Sequence, residues 1–233
     1  MSPRRKSKLT LWEQLNCEIV ACERCPRLRE HCLAVAAERK AAHREETYWG
    51  LPAPNFGAPA ARIMIIGLAP AAHGANRTGR LFTGDRSGDY LFRALHAVGL
   101  ANQPTATHRD DGLELIDCAI TDVCHCAPPE NKPTPDEIEH CREWLVRTFA
   151  LAPVRVFLPL GSIAWTATVR ELKRAGRLGP GKMPKFGHGA QAPLVGGGHL
   201  LGCYDPSQRN TFTGRVTHEM LVELFRTAKK LAH

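Results

Sequence analysis

The sequence predicts an α/β fold in which a central, mainly parallel four-stranded sheet lies between helices. Three features predict it. Four short apolar runs end at Gly or at polar residues, stretches with helical spacing separate them, and strand alternates with helix along most of the chain. Connections of that kind place helices on both faces of the sheet. The 233 residues are 43% apolar and show no shift in composition that would divide them. One unit over 1–233 is therefore expected, with the basic head 1–8 as a solvated tail.

The elements follow in order. Residues 9–42 read as helical, and Arg62-Ile63-Met64-Ile65-Ile66-Gly67 as a strand whose continuous apolar run suits burial on both faces. A helix near 87–98 presents Leu91, Leu95 and Val98 on one side, and a second strand is expected over 115–121. Thr134-Pro135-Asp136-Glu137 supplies an N-cap, a proline at the first helical position and a carboxylate at the third, starting a helix that runs to about Phe149. Residues 154–161 read as the third strand, 162–174 as its helix and 199–204 as the fourth strand. Thr217 caps a last helix with Met220, Leu221, Leu224 and Phe225 inward. The Gly- and Pro-rich stretch 176–198 reads as a surface excursion.

In a parallel sheet the loops after the strands share one edge, and ligands bind there. Three polar loops, 67–85, 122–133 and 205–215, are expected to meet at that edge. The first is long and carries Gly67, Gly74, Gly79, Gly84 and Pro70 beside Asn76, Arg77, Arg80 and Asp85. Taken singly each has an ordinary reading: Asp85 as a helix N-terminal carboxylate, Asn131 as a turn residue, Ser207 as a cap. Their convergence is what predicts a pocket. No G-x-G-x-x-G or G-x-x-x-x-G-K-[ST] pattern is present, which argues against a nucleotide-phosphate loop. The formal charge of +8 favours a polyanionic partner. No run of eighteen apolar residues and no signal-peptide core occurs, so a cytoplasmic protein without a membrane partner is expected.

Nine cysteines in a reducing compartment point to metal or cluster binding before disulfides. Cys22-Glu23-Arg24-Cys25-Pro26 is the clearest motif, because a two-residue gap aims both thiolates at one centre. Two more ligands must come from Cys118, Cys124, Cys126 and Cys141. Cys17, Cys32, Cys118 and Cys203 read better as buried hydrophobes. Spacing alone leaves iron–sulfur, zinc and a redox dithiol open.

Several motifs in order carry a more specific resemblance: GLAPAAHGANRTGRLFTGDRSGD from Gly67, CAPPENKPTP from Cys126, KFGHG from Lys185 and PSQRNTFTGR from Pro206. Over nearly its whole length the chain resembles the family 5, or type B, uracil-DNA glycosylases, which carry an iron–sulfur cluster. The resemblance implies an α/β/α sandwich that flips a deaminated base from DNA and cleaves its glycosidic bond, with uracil, hypoxanthine and xanthine as substrates. It implies Cys22, Cys25, Cys126 and Cys141 as ligands of a [4Fe–4S] cluster and a monomer acting on DNA. It implies Asp85 as the catalytic carboxylate, Asn131 as a hydrogen-bond partner of the base, and Phe82 as its stacking ring. Gly67, Ala69 and Ala71 would line the base site, and Arg77, Arg80, Ser207, Arg209 and Arg215 would contact DNA.

One position departs from the pattern. Family members carry a histidine before the second-motif Pro-Ser, and this chain has Asp205. A neutral imidazole donates a hydrogen bond to the base as negative charge builds there, whereas a carboxylate opposes that charge. Weakened uracil excision is therefore expected unless Asp205 is protonated or the preferred base offers a donor. Two other readings stand beside the glycosylase. One is a damaged-DNA-binding protein without turnover, and the other an iron–sulfur or zinc oxidoreductase, which would want a nucleotide-cofactor loop.

Overall fold

The structure, a computed structural model, describes residues 9–181 and 183–233. The expected tail 1–8 lies outside the described residues. The chain begins with α1 (Leu11–Val20) and α2 (Pro26–Glu38). The expected continuous helical region over 9–42 is thus broken at 22–25. Pro26, with no N–H to give to the preceding turn, can only open a new helix. A capping box between Thr10 and Glu13 starts α1. A short edge strand β1 (Phe56–Gly57) precedes β2 (Ile63–Gly67), followed by the single turn α3 (Ala75–Thr78) and by α4 (Arg86–Ala97).

Next come β3 (Cys118–Asp122), α5 (Pro135–Leu151), β4 (Val156–Pro159) and α6 (Ser162–Arg174). The chain ends with β5 (Gln191–Pro193), β6 (His199–Leu201), α7 (Gln208–Phe212) and α8 (His218–Ala232). Residues 115–117, expected in the second strand, stand outside it. Asp117 takes a left-handed φ of 55°, and its carboxylate accepts from Arg62 Nε at 2.9 Å. The ladder can begin only after that kink. The expected capping box at Thr134 and Glu137 is present.

The sheet order is β1-β3-β2-β4-β6-β5. The four expected strands form the parallel centre β3-β2-β4-β6, and two antiparallel strands of two and three residues cover its edges. Segments that short carry no readable periodicity, which is why 191–193 was hidden in the expected excursion. Residues along β2 alternate between two cores. Ile63 and Ile65 join Leu91, Leu95, Leu221 and Phe225 on the α4/α8 side, while Met64 and Ile66 join Leu15, Ile19, Trp144 and Trp165 on the α1/α5/α6 side. This alternation is what makes the fold three layers, α/β/α. No helix among the described residues is long and apolar enough to cross a membrane.

Candidate active site

The loops after β2, β3 and β6 do come together. They line one cavity of about 470 Å³ at the carboxyl edge of the sheet, bounded by 68–71, Phe82 and Asp85 from the first, Asp122 and Asn131 from the second, and Asp205 and Ser207 from the third. That volume suits a nucleobase with part of its sugar.

Local structure fixes each wall. Asp85 is the N-cap of α4, its Oδ1 accepting from the Gly88 amide at 2.9 Å. Its second oxygen lies over Gly74, where a Cβ would collide with Oδ2. Burial pushes the Asp85 carboxyl above its ordinary range, and the Gly88 and Ser87 amides oppose that shift. Phe82 holds a left-handed φ of 53°, worth roughly 1–2 kcal/mol of strain for a non-glycine residue. Its carbonyl sits where any side chain at position 88 would be, so only glycine there lets the turn close. Asn131 also has a positive φ, 57°, directly after Glu130 at 55°, which turns the second loop back toward the cavity. The Ala69 and Ala71 amides enter no backbone hydrogen bond among the described residues. Gly67, at the end of β2, leaves no room for a side chain between the Phe82 ring and Asp122.

Asp205 follows β6, and the side-chain amide of Asn210 donates to its carbonyl at 2.9 Å. Burial raises its carboxyl to about 6, the neighbouring Ser207 hydroxyl opposes the rise, and the Asp85 charge adds to it. Three carboxyls therefore share one cavity: Asp85, Asp122 and Asp205. Asp122 was not anticipated. The signal available in the chain was a charged residue closing an otherwise apolar strand just before a loop.

Two expected DNA contacts are corrected. Arg77 and Arg80 are buried, 7% and 6% exposed. Arg77 pairs with Glu46 and donates to the carbonyls of His73 and Gly84, while Arg80 pairs with Asp111 at 2.8 Å and donates to Thr83 and the Arg109 carbonyl. Both brace the 74–84 loop from behind, each with all three guanidinium nitrogens engaged within the chain. Arg209 and Arg215 are exposed, as expected of surface contacts, and Arg209 lines the cavity. Sequence reasoning missed Arg86, which is exposed at the cavity rim, its guanidinium 4.8 Å from the ring centre of Phe212. Phe212 is 65% exposed. It is a projecting aromatic in the 205–215 segment.

The cysteines divide. Cys22, Cys25, Cys126 and Cys141 border one small cavity between the 22–25 turn, α2, the loop after β3 and α5. Cys32, Cys118 and Cys203 are buried, as expected, but Cys17 is exposed, because its position on α1 faces away from Leu15 and Ile19. Burial pushes the Cys25 thiol up to about 11. The Cys32 thiol donates to the Ala127 carbonyl at 3.6 Å. Among the described residues no three His, Cys, Asp or Glu side chains converge as a site for a metal ion.

The sequence pattern of the uracil DNA glycosylase superfamily matches residues 54–229, which include all three site loops. The chain belongs to this superfamily. It is 48% identical to a type-5 uracil-DNA glycosylase of Mycobacterium bovis over 94% of this chain and 81% of that one. It is 47% identical to the Mycobacterium leprae type-5 enzyme over 94% of this chain and 95% of the relative, and 46% identical to the Thermus thermophilus one over 92% and 95%. Within the superfamily the chain thus falls in the type-5 group. A uracil-DNA glycosylase pocket must admit a whole extruded base, and the cavity between Phe82 and Asp85 has the size for one.

Proposed function

We propose that this chain is a monomeric, cytoplasmic DNA glycosylase, folded as one unit, that extrudes uracil, hypoxanthine and xanthine from DNA and hydrolyses the glycosidic bond. The observation that carries this reading is the single cavity that gathers the Asp85 carboxylate, the Phe82 ring and Asn131. Cleavage builds positive charge on the sugar and negative charge on the departing base. Asp85, as an anion, stabilises the oxocarbenium-like sugar and orients the attacking water. Phe82 stacks on the extruded ring, Asn131 hydrogen-bonds its edge, and the Ala69 and Ala71 amides donate to the base as charge grows. Arg86, Arg209 and Arg215 form the basic rim that meets phosphates, with the Ser207 segment beside them.

The four cysteines Cys22, Cys25, Cys126 and Cys141 hold a [4Fe–4S] cluster in this reading. The support is the donor set itself: four thiols from three separated segments around one cavity, three of them buried. Four thiolates from separated segments around one cavity are the donor set a four-iron cluster takes. When bound, such a cluster clamps these segments, and it takes no part in base hydrolysis. Purified protein should therefore show broad visible absorbance. Cys126→Ser should reduce that absorbance and the iron content by at least half and lower the melting temperature by several degrees, as expected when a group bound only by the folded state is lost. Zinc in place of iron, with no colour, would refute the cluster.

Incubation with oligonucleotides bearing one uracil, hypoxanthine or xanthine, followed by alkali, tests the activity. Strand breaks at the modified position are expected. Tight binding to uracil-containing DNA without breaks would instead support a damage-binding protein, a reading that the Asp205 carboxyl favours.

A further inference from the structure

We infer that the Asp122 carboxyl reads the hydrogen-bonding edge of the extruded base, so that Asp122 is a specificity-determining residue of the pocket. The inference rests on the glycosylase reading and deepens it. Asp122 closes β3 beside Gly67 of β2, the two residues being register partners. Its Oδ1 and the Phe82 ring both crowd the space just above Gly67, so the carboxyl stands at the floor of the cavity next to the ring on which the base stacks. The residue is 1% exposed, and Oδ1 has no hydrogen-bond partner among the described residues. A buried polar atom left unpaired costs free energy that a structural role would not justify, and a bound base would satisfy it.

Among the described residues no cation pairs with this group, and Arg86 and Arg209 stand at the rim of the same cavity. Asp85 at the start of α4 and Asp205 after β6 share its cavity. Burial first, then the neighbouring Asp85 and Asp205 charges, push its carboxyl well above the usual carboxylate range. A protonated carboxyl offers an O–H donor and a C=O acceptor side by side. Uracil, hypoxanthine and xanthine all carry a lactam, an adjacent carbonyl and ring N–H, and so can make two bonds with that pair. Because the proton can sit on either oxygen, the carboxyl meets the two groups in either order, which suits a pocket that takes both pyrimidines and purines.

The test pairs a change in the protein with a change in the base. Single-turnover excision is measured for DNA carrying uracil and for DNA carrying pyrimidin-2-one, which lacks the C4 carbonyl and the N3 proton. Equilibrium binding of the same oligonucleotides is measured in parallel. The unaltered protein should prefer uracil by about 30-fold or more beyond the intrinsic difference between the two bases. Asp122→Asn, which keeps one donor and one acceptor, should hold that preference within about threefold, and Asp122→Ala and Asp122→Ser should both collapse it by about tenfold or more. Intact melting transitions establish that each variant folds. An unchanged uracil preference in both Asp122→Ala and Asp122→Ser would overturn the inference and assign the edge to other residues. If the unaltered protein binds uracil-containing DNA without cleaving it, the glycosylase reading fails while the ratio of Kd values still decides the role of Asp122.

Discussion

Asp85→Asn should abolish uracil excision, by about a thousandfold or more in single-turnover rate, and leave the protein at least as stable as before. The catalytic loss follows from charge. An amide cannot stabilise an oxocarbenium-like sugar as an anion does, and removing one preorganised electrostatic group from a water-poor site costs about 10²–10³ in rate before the lost positioning of water is counted. The stability side follows from the cap. Asn accepts from the Gly88 amide as Asp does and is an equal N-cap, so α4 keeps its start. Burial already pushes the Asp85 carboxyl up, which means the folded chain bears a cost for its charge. A neutral isostere removes that cost and relieves the repulsion on Asp205 and Asp122. An equal or higher melting temperature with lost activity would mark Asp85 as a residue kept for chemistry at the expense of stability. Retention of more than a tenth of the rate would refute the assignment.

The second large effect concerns the opposite wall. Asp205→His should raise uracil excision at pH 7.5 by about a hundredfold and narrow the difference to within tenfold at pH 5. The Asp205 carboxyl is raised to about 6, so it carries its proton and can donate to the base below that value, and loses that ability as pH rises through it. Above pH 6 an anion faces the growing negative charge of the leaving base. Opposed unit charges a few ångströms apart cost up to about 4 kcal/mol at an effective dielectric near 20, so two decades of rate is a modest expectation. Neutral histidine donates throughout the upper range. The unaltered protein should therefore lose rate between pH 5.5 and 7.5, while the variant should not.

Stability carries the same sign. The folded chain keeps on Asp205 a proton that the unfolded chain releases near 4, so stability falls as pH climbs from about 4 to about 6, by at most about 3 kcal/mol. Rate profiles and melting curves across that range check both statements. A flat rate profile for the unaltered protein, or no gain from histidine, would remove Asp205 from the base-leaving step.

The order of the fold was readable because burial leaves a periodic mark. Ile63 to Ile66 form an unbroken apolar run that only a central strand explains, and Thr134 to Glu137 spell a helix start in consecutive residues. What escaped was either too short for a period, as in Gln191 to Pro193, or decided by one backbone angle, as at Asp117. The site shows the same division. Asp85 and Phe82 sit in a motif dense enough to mark them. Arg77 and Arg80 lie in that motif as well, yet their guanidinium groups turn inward to Glu46 and Asp111. A sequence shows that an arginine is present, and nothing local tells whether its charge meets solvent or a carboxylate thirty residues away.

The sequence by itself determined the α/β order, the three loops at one sheet edge and the family. These are legible because they rest on local patterning and on motifs contiguous in the chain. Only the tertiary structure decided that Asp122 joins Asp85 and Asp205, that Arg86 stands on the rim in place of Arg77 and Arg80, and that Cys17 faces outward. The reason is that burial, and with it the protonation of a carboxyl or the availability of a cation, is set by neighbours far apart in the chain.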